Sequence, residues 1–215
     1  MKIITISRQF GSGGRELGKR LSDILGWDYY DREIITKLAE DHGLEPGYVN
    51  RILNNHEWNT VPITYRHSFI GAELIPNVNI SLLAKQREII MDIAKAGNDC
   101  IIVGRDADVI LEEYRPFRIF VCADMESRVR RCMKYENKKP EDRRLTEKEI
   151  LRNIKRIDRE RRCLRDAISG KDSGDGSSFD LIVNAGGWNI KQLAPAVADF
   201  SGKWFEGNSG NRNDE

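Results

Sequence analysis

Apolar residues along this chain fall into two patterns. In the first they form short, nearly unbroken, β-branched runs: Ile3-Ile4-Thr5-Ile6, Cys100-Ile101-Ile102-Val103, Ile119-Phe120-Val121-Cys122 and Leu181-Ile182-Val183. Trp27-Asp28-Tyr29-Tyr30 reads as a further short strand. In the second pattern apolar residues recur three and four apart, as in Leu17, Leu21, Ile24 and Leu25, then Ile34, Ile35, Leu38 and Ala39, then across residues 81–95. The first pattern predicts strands buried on both faces and the second predicts amphipathic helices. Their alternation predicts an α/β fold with a parallel sheet of five strands and helices on both sides.

Punctuation sharpens the boundaries. Gly26 caps the first helix, and Asp31 starts a second that runs to about residue 41. Residues 44–80 lose periodicity, carry Pro46, Pro62 and Pro76, and hold Trp58, Tyr65 and Phe69; they read as an irregular helical insertion. A basic helix is expected over 126–135. After a charged break at 140–144, Thr146 caps another, with Glu147 and Glu149 in its first turn. Residues 169–178 are a flexible loop by composition. A last helix covers 188–200 with Pro195 inside it. One domain over 1–202 is expected, then a tail at 203–215 with the make-up of a disordered segment.

The most informative chemistry sits at the first strand's end, where Arg8-Gln9-Phe10-Gly11-Ser12-Gly13-Gly14-Arg15 leads into the first helix. Strand, glycine-rich turn and helix make an anion cradle, because glycines let successive N–H groups converge and the helix N-terminus adds partial positive charge. A literal G-x-x-x-x-G-K runs from Gly13 to Lys19, but it would place Leu17 inside the loop rather than on the helix core face. With Gly11, Ser12, Gly13 and Gly14 as the cradle, the lysine position falls on Gly14 or Arg15 and the hydroxyl position on Arg15 or Glu16. Arg15 is then the expected cation, since a guanidinium grips phosphate in a bidentate way. The alternative is a plain βα turn.

Composition narrows the classes. A net charge of +1 over 215 residues gives no global bias toward nucleic acid or membranes. Cys100, Cys122, Cys132 and Cys163 form no C-x-x-C pair, so neither a zinc site nor a disulfide framework is expected, and a reducing cytoplasm is the expected compartment. No signal-peptide pattern precedes the first strand, and no apolar run is long enough to cross a bilayer.

Three further runs carry candidate chemistry. Gly104-Arg105-Asp106 ends a strand at the edge where open α/β sheets bind ligands. Tyr30-Asp31-Arg32 ends another. Asp158, Arg161, Arg162 and Arg165 share a helix face beside the flexible loop, which suits a lid that brings guanidinium groups to a transferred phosphoryl group. Each has a structural alternative: a surface ion pair, a helix cap, and a solvated face with internal ion pairs.

Together these runs resemble the cytidylate kinase-like branch of the nucleoside monophosphate kinases, a P-loop NTPase group. The matching stretches are Ile4 through Gly18, Tyr29-Tyr-Asp-Arg-Glu-Ile-Ile35, Ile102 through Leu111, Ile119 through Arg131, Ile154 through Arg162 and Phe179-Asp-Leu-Ile-Val-Asn184, within about residues 2–200. The resemblance implies a P-loop nucleoside kinase fold with an acceptor-binding insertion at about 44–80 and a lid at about 158–178. It implies transfer of the ATP γ-phosphoryl group, with Mg2+, to a nucleoside monophosphate, CMP among the candidates. It places Arg105 on the monophosphate and Arg128 near the donor phosphates. It gives Asp158, Arg161 and Arg165 to a lid run similar to, though not in register with, the family's own. Asp31, Lys37 and Gln86 fall on the acceptor side. The acceptor run lacks the family's glycine, so no base specificity follows. The partners implied are nucleotide substrates; the aromatic insertion covers a nucleobase or packs against a second subunit. Two other readings remain: a non-catalytic nucleotide sensor that kept the cradle, and a kinase of another small phosphoacceptor.

Overall fold

Unbroken apolar runs become parallel strands because both faces of such a strand can be buried at once. The computed structural model describes residues 1–31, 34, 80–138, 140–141, 144–169 and 176–209. Five strands form one sheet: β1 (Ile3–Arg8), β2 (Asp28–Tyr30), β3 (Cys100–Val103), β4 (Phe117–Cys122) and β5 (Leu181–Asn184), in the order β2-β3-β1-β4-β5. All four pairings are parallel, with β1 central: Ile3 lies opposite Cys100 on one side, and Arg8 lies opposite Val121 on the other. The chain runs from β1 out to edge strand β2, returns to β3 and then crosses β1 to reach β4, so the crevice at the carboxyl end of β1 is where ligands bind in such sheets.

The described helices are α1 (Gly14–Leu25), α2 (Ile80–Lys95), the single turn α3 (Ala107–Ile110), α4 (Met125–Glu136), α5 (Glu147–Ser169) and α6 (Ile190–Ser209). Leu17 and Leu21 of α1 are fully buried in the main core with Ile89, Ile90 and Ile93 of α2. Burial of each such side chain contributes about 1.5–3 kcal/mol. Gly18 lets α1 lie close on the sheet, for a Cβ there would stand 2.6 Å from Val103 Cγ2. Ile24, expected on the same buried face, is half exposed; the buried stripe consists of Gly14, Leu17, Gly18, Leu21 and Ser22. Gly26 does cap α1, at φ 69° with its N–H donating to Ser22 O.

A second, smaller core of Phe10, Cys132, Ile150, Ile154 and Ile157 lies between the glycine loop, α4 and α5. The C-terminal helix runs further than its composition suggests. It continues through Ser209, and Trp204 and Phe205 pack around Phe117 with ring centroids 4.8 and 6.1 Å away. Lys37 and the expected insertion, apart from Ile80, lie outside the described residues. Among the described residues no helix is long and apolar enough to cross a membrane.

Candidate active site

The loop between β1 and α1 is shaped from behind. Gly11 and Gly13 adopt left-handed backbone conformations, φ 76° and 93°, which a side chain would strain. Gln9 N–H donates to Val121 O, and its side-chain oxygen accepts from Ala123 N–H at 3.1 Å, so β4 holds the loop's start. Three arginines then take alternate loop carbonyls. Arg161 Nη1 donates to Arg8 O at 3.0 Å, Arg128 Nε to Phe10 O at 2.7 Å, and Arg131 Nη1 to Ser12 O at 3.1 Å. In a trans peptide the C=O and the following N–H point in opposite directions. With the carbonyls of Phe10 and Ser12 turned toward α4, the N–H groups of Gly11 and Gly13 therefore face the other way. Among the described residues those two amides and that of Gly14 make no hydrogen bond. With the N-terminus of the 12-residue α1 behind them, they can take an anion.

The sequence-predicted arginines divide by what they touch. Arg128 is 4 % exposed and forms an ion pair with Asp158, whose other oxygen accepts from Phe10 N–H at 2.7 Å. Asp158, expected in a lid over the substrate, thus sits against the loop backbone. Arg161 lies over the Phe10 ring, 5.6 Å from its centroid. Arg162, expected on the same face, is exposed. Arg15, the expected loop cation, places its Nη2 2.7 Å from Asp31 Oδ2. Asp31 is buried and also accepts from Ile34 N–H at 3.2 Å, the capping role its sequence position suggested. Tyr29 OH lies 3.4 Å from both Arg15 O and Asp31, and burial holds that phenol far above its ordinary pKa.

At the carboxyl end of β3 the backbone is strained. Gly104, Arg105 and Asp106 have φ of 82°, 61° and 50°, two non-glycine residues in succession in the left-handed region. Each costs roughly 1–2 kcal/mol, and such strain persists where surrounding contacts enforce it, often at functional sites. The Asp106 carboxyl is pushed up to about 6, by burial first and then by Asp108, against the opposing pull of Arg165, Arg8 and Arg105. Arg165 pairs with buried Asp108 at 2.5 Å and lies over the Phe179 ring, 4.8 Å from its centroid. Ser7 Oγ completes this edge, 3.4 Å from Asp108. Gln86 on α2 is 3 % exposed, and neither of its amide atoms has a hydrogen-bond partner among the described residues.

The structure thus brings the glycine loop together with Arg105, Arg128, Asp158, Arg161 and Arg165 around the end of β1, and pairs Arg15 with Asp31 instead. Sequence reasoning missed Arg8, Arg131 and Asp108. Arg131 was within reach, since it stands one turn from Arg128 on the basic helix, but no spacing rule says which of several arginines meets a carbonyl.

Comparison with known proteins bears on both fold and family. A family model described as the cytidylate kinase-like family matches residues 3–186. A protein named cytidylate kinase from Haloarcula marismortui is 27 % identical over 210 residues, covering 95 % of this chain and 94 % of that protein. An uncharacterised protein from Eubacterium ventriosum has a crystal structure that superposes with a TM-score of 0.67 at 20 % identity, over 94 % of this chain and 98 % of that one. A shikimate kinase from Bacteroides thetaiotaomicron superposes with a TM-score of 0.52 at 13 % identity, over 93 % and 97 % of the two chains. The fold is that of the P-loop kinases.

Proposed function

The chain belongs to the cytidylate kinase-like family, and from that premise we propose that it transfers the γ-phosphoryl group of ATP to a nucleoside monophosphate, with CMP the first acceptor to test. The observation that carries this reading is one of direction. Guanidinium groups hold the loop carbonyls of Phe10 and Ser12 on one side, which leaves the amides of Gly11 and Gly13, beside that of Gly14 at the start of α1, for phosphate oxygens on the other. Phosphoryl transfer demands positioning and charge stabilisation more than covalent chemistry, and this edge supplies both.

In this reading Gly11, Ser12, Gly13 and Gly14 cradle the donor phosphates. Arg105, on its strained turn, holds the acceptor phosphate. Arg128 and Asp158 keep the loop in shape through Phe10. Arg161 and Arg165 sit on the face of α5 toward the site and screen the charge of the transferred group. Gln86 offers an amide donor and an amide acceptor to a nucleobase edge. The CMP assignment draws on the relative named cytidylate kinase.

The donor set fits a magnesium ion that arrives on the nucleotide. Among the described residues no group of three His, Cys, Asp or Glu side chains gathers. Gly14 is followed by Arg15 rather than by a hydroxyl, and the nearby Asp106 carboxyl is largely buried among Arg165, Arg8 and Arg105. Such an ion is held mainly by phosphates and water and neutralises their charge.

A coupled assay of ADP release against a panel of nucleoside monophosphates and small hydroxy acids tests the proposal. The expected result is release with CMP well above the ATP-only background. ATP binding with no release on any acceptor would instead favour a sensor, a reading that the seating of Arg15 on Asp31 and of Arg165 on Asp108 supports. Release only with acceptors outside the monophosphates would favour another small-molecule kinase.

A further inference from the structure

The phosphate-loop pattern G-x-x-x-x-G-K places its second glycine and its lysine at the start of the helix. Here α1 begins at Gly14 with Gly13 as its cap, so the lysine position is Gly14 and the second glycine is Gly13. Counting back along the pattern, its first glycine falls on Arg8. An arginine stands where the pattern has glycine, and a glycine stands where it has lysine.

The two positions touch. A Cβ at Gly14 would lie 2.8 Å from Arg8 Cβ and 3.1 Å from Arg8 Cγ. The stem of Arg8 therefore fills the space that a side chain at 14 would enter. Its head crosses to the neighbouring strand's end, where a Cβ at Gly104 would lie 1.7 Å from Arg8 Nη1 and 2.7 Å from Cζ. A side chain at 14 would meet the fixed stem of Arg8, and one at 104 would displace its mobile head. The backbone of Arg8 is anchored as well: it pairs opposite Val121 in the sheet, and its carbonyl accepts from Arg161. The guanidinium is close enough to Asp106 to pull that carboxyl's pKa down. Arg8 thus sits between the cradle and the strained β3 edge, while Arg15 is turned to Asp31.

We propose that Arg8 is the phosphate-binding cation of this loop, its charge moved from the last position of the pattern to the first. Its ligand is the polyphosphate of a nucleoside triphosphate, gripped by the fork of the guanidinium rather than by an ammonium point charge. The inference rests on the nucleotide-binding reading above.

Titration calorimetry of the full chain with ATP and, separately, with inorganic tripolyphosphate tests it. Arg8→Gln should weaken both by tenfold or more, and Arg8→Lys should weaken them less. The informative variant is the exchange Arg8→Gly with Gly14→Lys, which restores the standard pattern. It should recover binding relative to Arg8→Gly alone, because a cation at either position then serves the same phosphates. Wild-type chain that binds ATP, together with a folded Arg8→Gln that binds it equally well, overturns the assignment. So does an exchange variant that folds, by its thermal transition, yet binds no better than Arg8→Gly. Should Arg8→Gln not fold, Arg8→Lys and the exchange decide by the same criteria. Wild-type chain that binds neither probe overturns the nucleotide reading itself, and the role of Arg8 with it.

Discussion

The wall behind the glycine loop and the edge in front of it are built on opposite principles. Behind, each contact is complete: Arg128 meets Phe10 O and Asp158, Arg131 meets Ser12 O and Trp188 O, and Arg161 meets Arg8 O, around a small apolar core. In front, the backbone of Arg105 and Asp106 is left-handed, the Asp106 carboxyl is raised toward neutrality, and Gln86 is buried without a hydrogen-bond partner among the described residues. Satisfied charge fixes shape; crowded and unsatisfied groups await a ligand. Substitutions behind the loop should therefore cost stability and ligand binding together, whereas those in front should cost binding while leaving stability unchanged or improved.

The sharpest way to break this contrast is Arg128→Ala. It strands the Asp158 carboxylate beside the loop and leaves Phe10 O without its guanidinium. Removing one partner of a buried ion pair typically costs about 3–5 kcal/mol. Denaturant unfolding should show a loss of that order, and ATP binding should fall with it. A variant that keeps its midpoint would mean that the wall is not what shapes the loop. Part of the loss should return in Arg128→Met combined with Asp158→Leu, because no lone charge is then buried.

At the front the expected sign is reversed. Asp106 has a raised carboxyl, about 6 against an ordinary 3.8. Between those values the folded state holds a proton that the unfolded state has lost. The group's contribution is therefore most favourable below pH 4 and declines as pH rises through about 6. Asp106→Asn should raise stability at pH 7.5 by on the order of 2 kcal/mol, with the gain vanishing near pH 4. Thermal unfolding at the two pH values checks this. A variant destabilised at pH 7.5 would place Asp106 among the structural groups of the wall.

Much of this division could be read from the chain. Four of the strands were legible because unbroken apolar runs of that length, flanked by charge or glycine, suit few structures other than a buried parallel strand. Thr146 followed by Glu149 announced the start of α5, and the two form a reciprocal capping box, with Thr146 N–H donating to Glu149 at 2.8 Å. The spacing of Asp158, Arg161 and Arg165 gave a common helix face, and all three do turn toward the end of β1 and β3. Their partner atoms were not legible, because periodicity fixes a direction and says nothing of what the fold brings opposite. Arg15 illustrates this: its neighbour Asp31 lies across the β2 turn, and their pairing depends on how α1 settles on the sheet. The helical residues 203–209 were also hidden, since Gly202 and the polar end mask the aromatic contacts of Trp204 and Phe205 that hold them.

Gln86 gives the smallest effect and refines the contrast. It precedes Ile89 and Ile90 by about one helical turn and shares their buried face, so water does not solvate its amide. An unsatisfied buried polar group costs about 1–3 kcal/mol, and replacing it by an apolar side chain of similar volume removes that cost. Gln86→Leu should therefore raise the unfolding free energy by about 1 kcal/mol without ligand. If the amide serves a bound base, the thermal shift given by CMP should shrink in the same variant, because Leu can neither donate nor accept. A gain in stability with an unchanged CMP shift would make Gln86 a cost the fold bears for another reason, and would move the acceptor side of the site away from α2. A loss of stability would assign Gln86 to the satisfied half of the molecule and erase the distinction on that side of the sheet.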